Sequence, residues 1–392
     1  MIIKSEDNNK NAIVVVGYNR YTSLKRLLAS LEKSFYSEDV PLVISIDCSG
    51  DEAVYELTRS FKWTHGNKYV NIQKKRLGLK EHIYRCGDLT KHFRSVTILE
   101  DDLYVSPYFY SYVKQTVDKY GNEDNVAGIS LYRNERNGFN GLPLYFLNNG
   151  NDVFAYQSTS TWGEIFTSSM WSSFRTWLNA WDEDFSIVDT YDVIKKWDRA
   201  WSKYYEAYLI LTKRYFIYPY LSLSTNNNDL GEHAISSQVD NTCQVELLWG
   251  DRIFVLGDFD NLLKYDTYAQ SEFLRSFFTD KDILVDLNGN RENIDNCRYL
   301  LTIRHLNKRI IQRFGIKLRP IELNVVQSIH GDEIFLYDMS INERNTFKTS
   351  MYSSIANYYL RDFNYHALFI ETIKGANLWE LLKRCIKKLL FR

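Results

Sequence analysis

Between residues 12 and about 130, short apolar runs alternate with stretches of helical period, and this alternation restricts the chain to a mostly parallel sheet with crossover helices. Five runs read as strands: Ala12 to Gly17, Leu42 to Asp47, Tyr69 to Gln73, Val96 to Leu99 and Val126 to Ser130. Ser23 to Ser34 sets Leu24, Leu27, Leu28 and Leu31 on one helical face, and Leu79 to Phe93 and Pro107 to Lys119 continue the pattern. The expected fold class is α/β, a doubly wound, Rossmann-like domain. Its ligand crevice should lie outside the carboxyl ends of the strands, where the loops converge.

Past residue 130 the alternation breaks into Gly- and Asn-rich loops, a short strand near Val153 to Gln157, and Trp-rich helices from Ser168 to Arg214. A strand over Tyr215 to Leu221 leads into the polar stretch Ser224 to His233, which has the composition of a mobile loop. The first domain is expected to end near residue 260, with halves 1–130 and 131–260. Residues 261–375 form an accessory region without a legible motif, expected to be mainly helical, and 376–392 a terminal helix. A length of 392 residues suits this division, at about 150 residues per domain.

Several function classes are excluded by composition. Lys and Arg number 48 against 49 Asp and Glu, a net charge of −1 that argues against a surface built to grip nucleic acid. The five cysteines (Cys48, Cys86, Cys243, Cys297, Cys385) form no CxxC pair and no metal-ligand spacing, which suggests a reducing compartment and no structural zinc. The apolar runs fall short of the roughly 20 residues that span a bilayer, and residues 1–11 are too polar for a signal peptide. A cytoplasmic protein, at most peripheral at the inner face of the cell membrane, is expected. Aromatic residues make up 15% of the chain, and rings suit sugar-facing clefts as well as cores.

The strongest chemical feature is Glu100-Asp101-Asp102, three consecutive carboxylates delivered to the end of an apolar strand. Two unit charges about 4 Å apart repel by roughly 4 kcal/mol at an effective dielectric near 20, so such a cluster favours a cation, hydrogen bonds or partial protonation. Mg²⁺ or Mn²⁺ takes one or two protein carboxylates and completes its shell with water and phosphate oxygens. Alternatively, the acids cap the helix that begins near Ser106. Two other strand ends also carry polar residues. Arg20, after the first strand, is a planar fork donor for a diphosphate or a surface helix residue, and Asp47, after the second, is an acceptor for a base N–H or a turn-former before Gly50.

Together these residues resemble the metal-dependent glycosyltransferases of the GT-A fold, in particular the N-acetylglucosaminyltransferase I type and its bacterial relatives. The resemblance covers about residues 12 to 235. In that family the first strand ends in a dipeptide whose Arg binds the donor diphosphate, matching Asn19-Arg20, and the second ends in Asp-Cys-Gly, close to Asp47-Cys48-Ser49-Gly50, whose Asp reads uracil. The family's Glu-Asp-Asp triplet matches Glu100-Asp101-Asp102. The resemblance implies Asp102 as the ligand of Mn²⁺ or Mg²⁺, with Glu100 and Asp101 on ribose and donor sugar. Ser160-Thr161-Trp162-Gly163 is similar to a Gly-Trp segment on the donor-sugar side, with the order of the two residues reversed.

Trp197-Asp198-Arg199-Ala200-Trp201 resembles the segment that carries the catalytic base, making Asp198 the candidate, with Asp182, Asp184, Asp189, Asp192 and Glu164 as rivals. On a helix the two tryptophans share a face from which Asp198 points away, so a core stripe with a solvated acid is the alternative. Gly231-Glu232-His233 resembles the loop that orders over the nucleotide sugar, with Glu232 in place of the family's small hydroxyl residue. His233 then faces the metal or phosphates, or is merely exposed. The final segment aligns Leu378, Leu381, Leu382, Cys385, Ile386, Leu389 and Leu390 on one face, with Trp379 beside it, opposite Lys383, Arg384, Lys387, Lys388 and Arg392, the pattern of a helix lying on an anionic membrane or of one docked on the core.

The expectation is an inverting transferase moving a hexose or N-acetylhexosamine from a nucleotide diphosphate, UDP above others, to a hydroxyl of a glycan or lipid-linked acceptor in bacterial surface polysaccharide synthesis. The alternative is a non-catalytic glycan-binding or assembly protein on the same scaffold. Nucleotidyl transfer is disfavoured, because Val16 to Arg20 lacks a Gly-rich, Lys-bearing phosphate loop.

Overall fold

The computed structural model describes residues 3–139, 141–227, 229, 243–278 and 282–360, together with Trp379, Leu382, Lys383 and Ile386. The first part alternates as expected: β1 (Asn11–Gly17), α1 (Tyr21–Glu32), β2 (Leu42–Ile46), α2 (Glu52–Ser60), β3 (Lys68–Ile72), α3 (Leu79–Gly87) and β4 (Ser95–Glu100). β5 (Leu103–Val105), α4 (Phe109–Tyr120) and β6 (Val126–Ser130) follow. The remainder of the first unit comprises β7 (Val153–Tyr156), β8 (Glu164–Thr167), α5 (Ser168–Ala180), α6 (Asp192–Lys195), α7 (Trp201–Thr212), β9 (Tyr215–Pro219), β10 (Ser224–Asn226) and β11 (Lys264–Tyr265).

Nine of these strands form one sheet in the order β11-β7-β9-β6-β8-β4-β1-β2-β3. β1 pairs in parallel with both β2 and β4, and β2 with β3; the antiparallel intruder β8 separates β4 from β6. β1 is buried along its whole length, which explains its unbroken apolar run: a strand covered on both faces has no solvent side to alternate toward. Ile13 and Val15 enter one core with Leu24, Leu27, Leu28 and Leu31 of α1, while Ala12, Val14 and Val16 enter the other beside Ile83 and Phe174.

The region past residue 260 is mixed rather than mainly helical. Alongside α8 (Glu272–Phe277), α9 (Glu322–Val326) and α10 (Met351–Leu360) it contains β12 (Ile283–Asp286), β13 (Tyr299–Thr302), β14 (Lys308–Phe314) and β15 (Ile334–Asn342). These strands make a second sheet, β12-β13-β15-β14, over a core that includes Val285, Leu301, Phe314, Val325 and Leu336. Arg291, almost wholly buried, ties the two units together. Its Nη1 donates to Asp189 at 2.8 Å and its Nη2 pairs with Asp266, just past β11. No helix among the described residues is long and apolar enough to cross a membrane.

Two local expectations are corrected. Ser224 to Asn226, assigned to a loop, pair with β5 as an antiparallel strand. Trp197 to Ala200 are not helical: Ala200 has extended backbone (φ −77°, ψ 119°) and α7 begins only at Trp201, so the two tryptophans do not share a helical face.

Candidate active site

The chain runs outward from β1 through β2 to β3 and returns to place β4 on the other side of β1. The sheet therefore has its switch point between the carboxyl ends of β1 and β4, where Val16 stands opposite Glu100. A cleft of about 390 Å³ opens there. It brings together six of the residues singled out in the sequence: Arg20, Asp47, Glu100, Asp101, Asp102 and Trp162. Gly17 permits the close approach, because a Cβ at that position would lie 2.9 Å from Ile46 Cδ1 and 3.6 Å from Asp101 Oδ2.

The repulsion anticipated among the three acids is met in two ways. Arg20, just before α1, reaches across the switch point, donating from Nη1 to Asp102 Oδ2 at 2.9 Å and from Nη2 to Asp101 Oδ1. Burial alone would lower its pKa, but the two carboxylates reverse this and raise it. Glu100 takes the other route. Burial, then Asp102 and Asp101, push its carboxyl up to about 8, so it carries a proton at neutral pH. Burial raises Asp101 to about 6 against the pull of Arg20.

Asp102 Oδ1 is buried and has no hydrogen-bond partner. A buried carboxylate oxygen of this kind on a cleft wall fits an electropositive partner. Among the described residues, no group of three or more His, Cys, Asp or Glu is arranged to hold an ion. A divalent cation here would therefore rest on Asp102 and on oxygens brought by its ligand, a donor set suited to Mg²⁺ or Mn²⁺.

Asp47 lies in the cleft, but its carboxylate is already engaged by backbone. Oδ1 accepts from Cys48 N (2.8 Å) and Leu77 N (2.9 Å), and Oδ2 from Gly78 N (2.9 Å). It thereby fixes the turn into α3, whose first flanking residue, Gly78, has φ +78°, a conformation that glycine adopts without strain. Sequence reasoning missed three cleft residues. His82, on the inward face of α3, meets Ser45 Oγ through Nε2 at 2.8 Å, and burial lowers it to about 4, so it is neutral. Arg76 stacks over Tyr18 at 5.0 Å. Asp229 accepts from Ser23 Oγ at 2.7 Å and pairs with Arg26, which ties the chain beyond β10 to α1. The heptad pattern of α1 marks its buried leucines but not these polar contacts.

Trp162 packs edge-on against Tyr132, with ring centroids 4.7 Å apart, and lines both the cleft and a second cavity of about 250 Å³. The second cavity contains Glu206, another residue the sequence did not reveal. Glu206 on α7 is buried, accepts from Thr159 N at 2.8 Å and from the hydroxyls of Thr159 and Thr267, and is pushed up to about 7 by burial. Asp198 lies exposed on the connection before α7 and lines neither cavity. Of its rivals, Asp182, Asp184 and Asp192 are also exposed, Asp189 pairs with Arg291, and Glu164 is sealed within the sheet. Both carboxylate oxygens of Glu164 lack partners, and burial and Glu100 raise its pKa well above the usual range. His233 and most of the terminal segment 376–392 lie outside the described residues.

No family model and no curated protein matches the chain. Among solved structures, it is similar to S. aureus TarS 1–349 in complex with UDP-GlcNAc, at 17% identity and a TM-score of 0.36, over 59% of this chain and 62% of that one. It is also similar to the mannosyltransferase PcManGT from Pyrobaculum calidifontis in complex with GDP-Man and Mn²⁺, at 15% identity and a TM-score of 0.31, over 42% of this chain and 46% of that one. The chain thus spans less than two thirds of either structure.

Proposed function

We propose that the chain is a glycosyltransferase that moves a hexose or N-acetylhexosamine from a nucleotide diphosphate donor, UDP above others, to a hydroxyl of a glycan or lipid-linked acceptor. The observation that carries this reading is the unpartnered Asp102 Oδ1 at the sheet's switch point, beside Arg20. A bound Mn²⁺ or Mg²⁺, held by Asp102, would supply neutralisation of the donor diphosphate.

The chain's own residues supply the rest. Two of the five N–H donors of Arg20 are used on Asp101 and Asp102, leaving others for a phosphate oxygen, where a fixed positive charge favours the departing diphosphate. Glu100, in the cleft lining beside Asp101 and Asp102, is placed to hydrogen-bond a sugar or ribose hydroxyl. Trp162 lines the cleft and would help to exclude water from the anomeric carbon of a bound donor. In an inverting displacement the acceptor oxygen bonds to the anomeric carbon, the bond from that carbon to the phosphate oxygen breaks, and the acceptor's proton passes to a carboxylate. Asp198 is that carboxylate on the strength of the family resemblance; it directly follows Trp197, which lines the second cavity.

A cytoplasmic location, with residues 376–392 on an anionic membrane surface and surface polysaccharide as the product, completes the proposal. The test is release of free nucleotide from UDP- and GDP-sugars with Mn²⁺. Asp102→Asn should abolish it with the circular dichroism spectrum unchanged; turnover preserved in that variant refutes the assignment.

A further inference from the structure

The second cavity has a composition that the donor reaction does not use. Phe139 and Trp197 are exposed by 43% and 37%, and their rings are aligned. Phe139 stacks on Tyr191 with centroids 3.9 Å apart and planes 26° apart, and on Trp197 at 6.5 Å and 28°. The three rings form a column at the cavity's edge. Polar groups without formal charge, Asn134, Ser158, Thr161 and Ser202 among them, line the same cavity with Glu206. Arg136, the only Lys or Arg in the lining, is exposed.

We infer that this cavity is a binding site for a neutral saccharide ring, the acceptor's terminal sugar, held with its C–H groups against the exposed parts of the Phe139 and Trp197 rings and its hydroxyls toward Glu206. The inference rests on the transferase reading for the word acceptor, but the saccharide site stands on its own residues. A sugar has one apolar face of axial C–H groups and a rim of hydroxyls that both donate and accept. Flat rings match the face, and side chains such as Asn, Ser, Thr and a carboxyl match the rim. An acyl chain would leave these polar groups without partners, and an acidic sugar would bury its charge with no cation but the exposed Arg136 among the described lining residues. At about 250 Å³ the space falls just below the roughly 300 Å³ at which drug-sized sites begin, which is room for one monosaccharide unit. Trp162 forms a wall of this space and of the donor cleft alike, so a ring bound here lies next to the sugar to be transferred.

The experiment is saturation-transfer NMR on the full chain without donor, using methyl glycosides of glucose, galactose, mannose and N-acetylglucosamine. UDP and GDP binding with Mn²⁺ is measured on the same samples. At least one glycoside should receive saturation, with binding about tenfold weaker in Phe139→Ala and Trp197→Ala, the upper range for loss of an aromatic contact. Both side chains are partly exposed, so neither change should unfold the protein, and Glu206→Gln, close to isosteric, should weaken binding with the fold intact. Asp102→Asn should leave glycoside binding unchanged. If no glycoside binds, or if binding is equal in wild type and both ring variants, the inference is overturned, and nucleotide binding in the same samples shows that the transferase reading survives it. If a glycoside binds through the ring column while neither nucleotide binds, the saccharide site stands and the donor assignment falls.

Discussion

Replacing Glu206 by Gln should make the protein less sensitive to alkaline pH, by an amount that follows from its surroundings. Glu206 is 5% exposed and pushed up to about 7 by burial, against three hydrogen bonds that favour its charge. The interval from an ordinary Glu near 4.5 to about 7, at ~1.36 kcal/mol per pH unit, makes ionising it inside the fold cost about 3 kcal/mol. The folded pKa lies above the unfolded one. The stability contributed by the neutral form is therefore fully present below about pH 4.5 and lost as pH rises through about 7. Gln keeps an acceptor for Thr159 N and reverses the bond to Thr267, whose hydroxyl would now accept from the amide, but it does not titrate. Urea unfolding followed by tryptophan fluorescence from pH 5 to 8.5 should show the variant gaining on wild type by about 2–3 kcal/mol across that range, on top of a constant offset. Two stability curves that run parallel would refute the burial argument.

Other perturbations have equally defined outcomes. Arg20→Ala leaves Asp101 and Asp102 facing each other without their shared cation; given that Arg20 is one-fifth exposed, we expect a loss of about 2 kcal/mol in urea unfolding, together with weaker nucleotide binding by calorimetry. Arg291→Ala removes a buried cation from Asp266, which keeps Arg275, and from the half-exposed Asp189; it should cost about 2 kcal/mol, and hydrogen exchange should show β12 and β13 losing protection before β1. Gly78→Ala introduces a Cβ into open space at φ +78°, so the cost is conformational alone, about 1–2 kcal/mol by thermal unfolding, with loosened Asp47 contacts as the local consequence.

The parallel half of the first sheet was legible because strands buried on both faces must be apolar throughout, and β1, β2 and β4 advertise themselves in that way. β8 escaped notice: its four residues begin with Glu164, an acid sealed in the sheet, which no local pattern announces. The second sheet was hidden because β14 carries Lys308, Arg309 and Arg313 along an exposed edge, so its residues read as loop or helix surface. The switch-point cluster was found because acids at a strand end are a local signal. The engagement of Asp47 by backbone N–H groups 30 residues away, and the burial of Glu206 between Thr159 and Thr267, are products of tertiary contact. Asp198 was expected on a helix because Trp197 and Trp201 have helical spacing; the extended backbone at Ala200 breaks that register.

The most direct test of the donor site is isothermal titration of UDP and GDP into the full chain, with Mn²⁺ or with a chelator, for wild type and Asp102→Asn. The unpartnered Asp102 oxygen predicts that a nucleotide diphosphate binds wild type with Mn²⁺ and at least about tenfold more weakly under chelator, and that Asp102→Asn removes this metal dependence. Binding that is equal with and without metal in both proteins, or absent from wild type altogether, would contradict it.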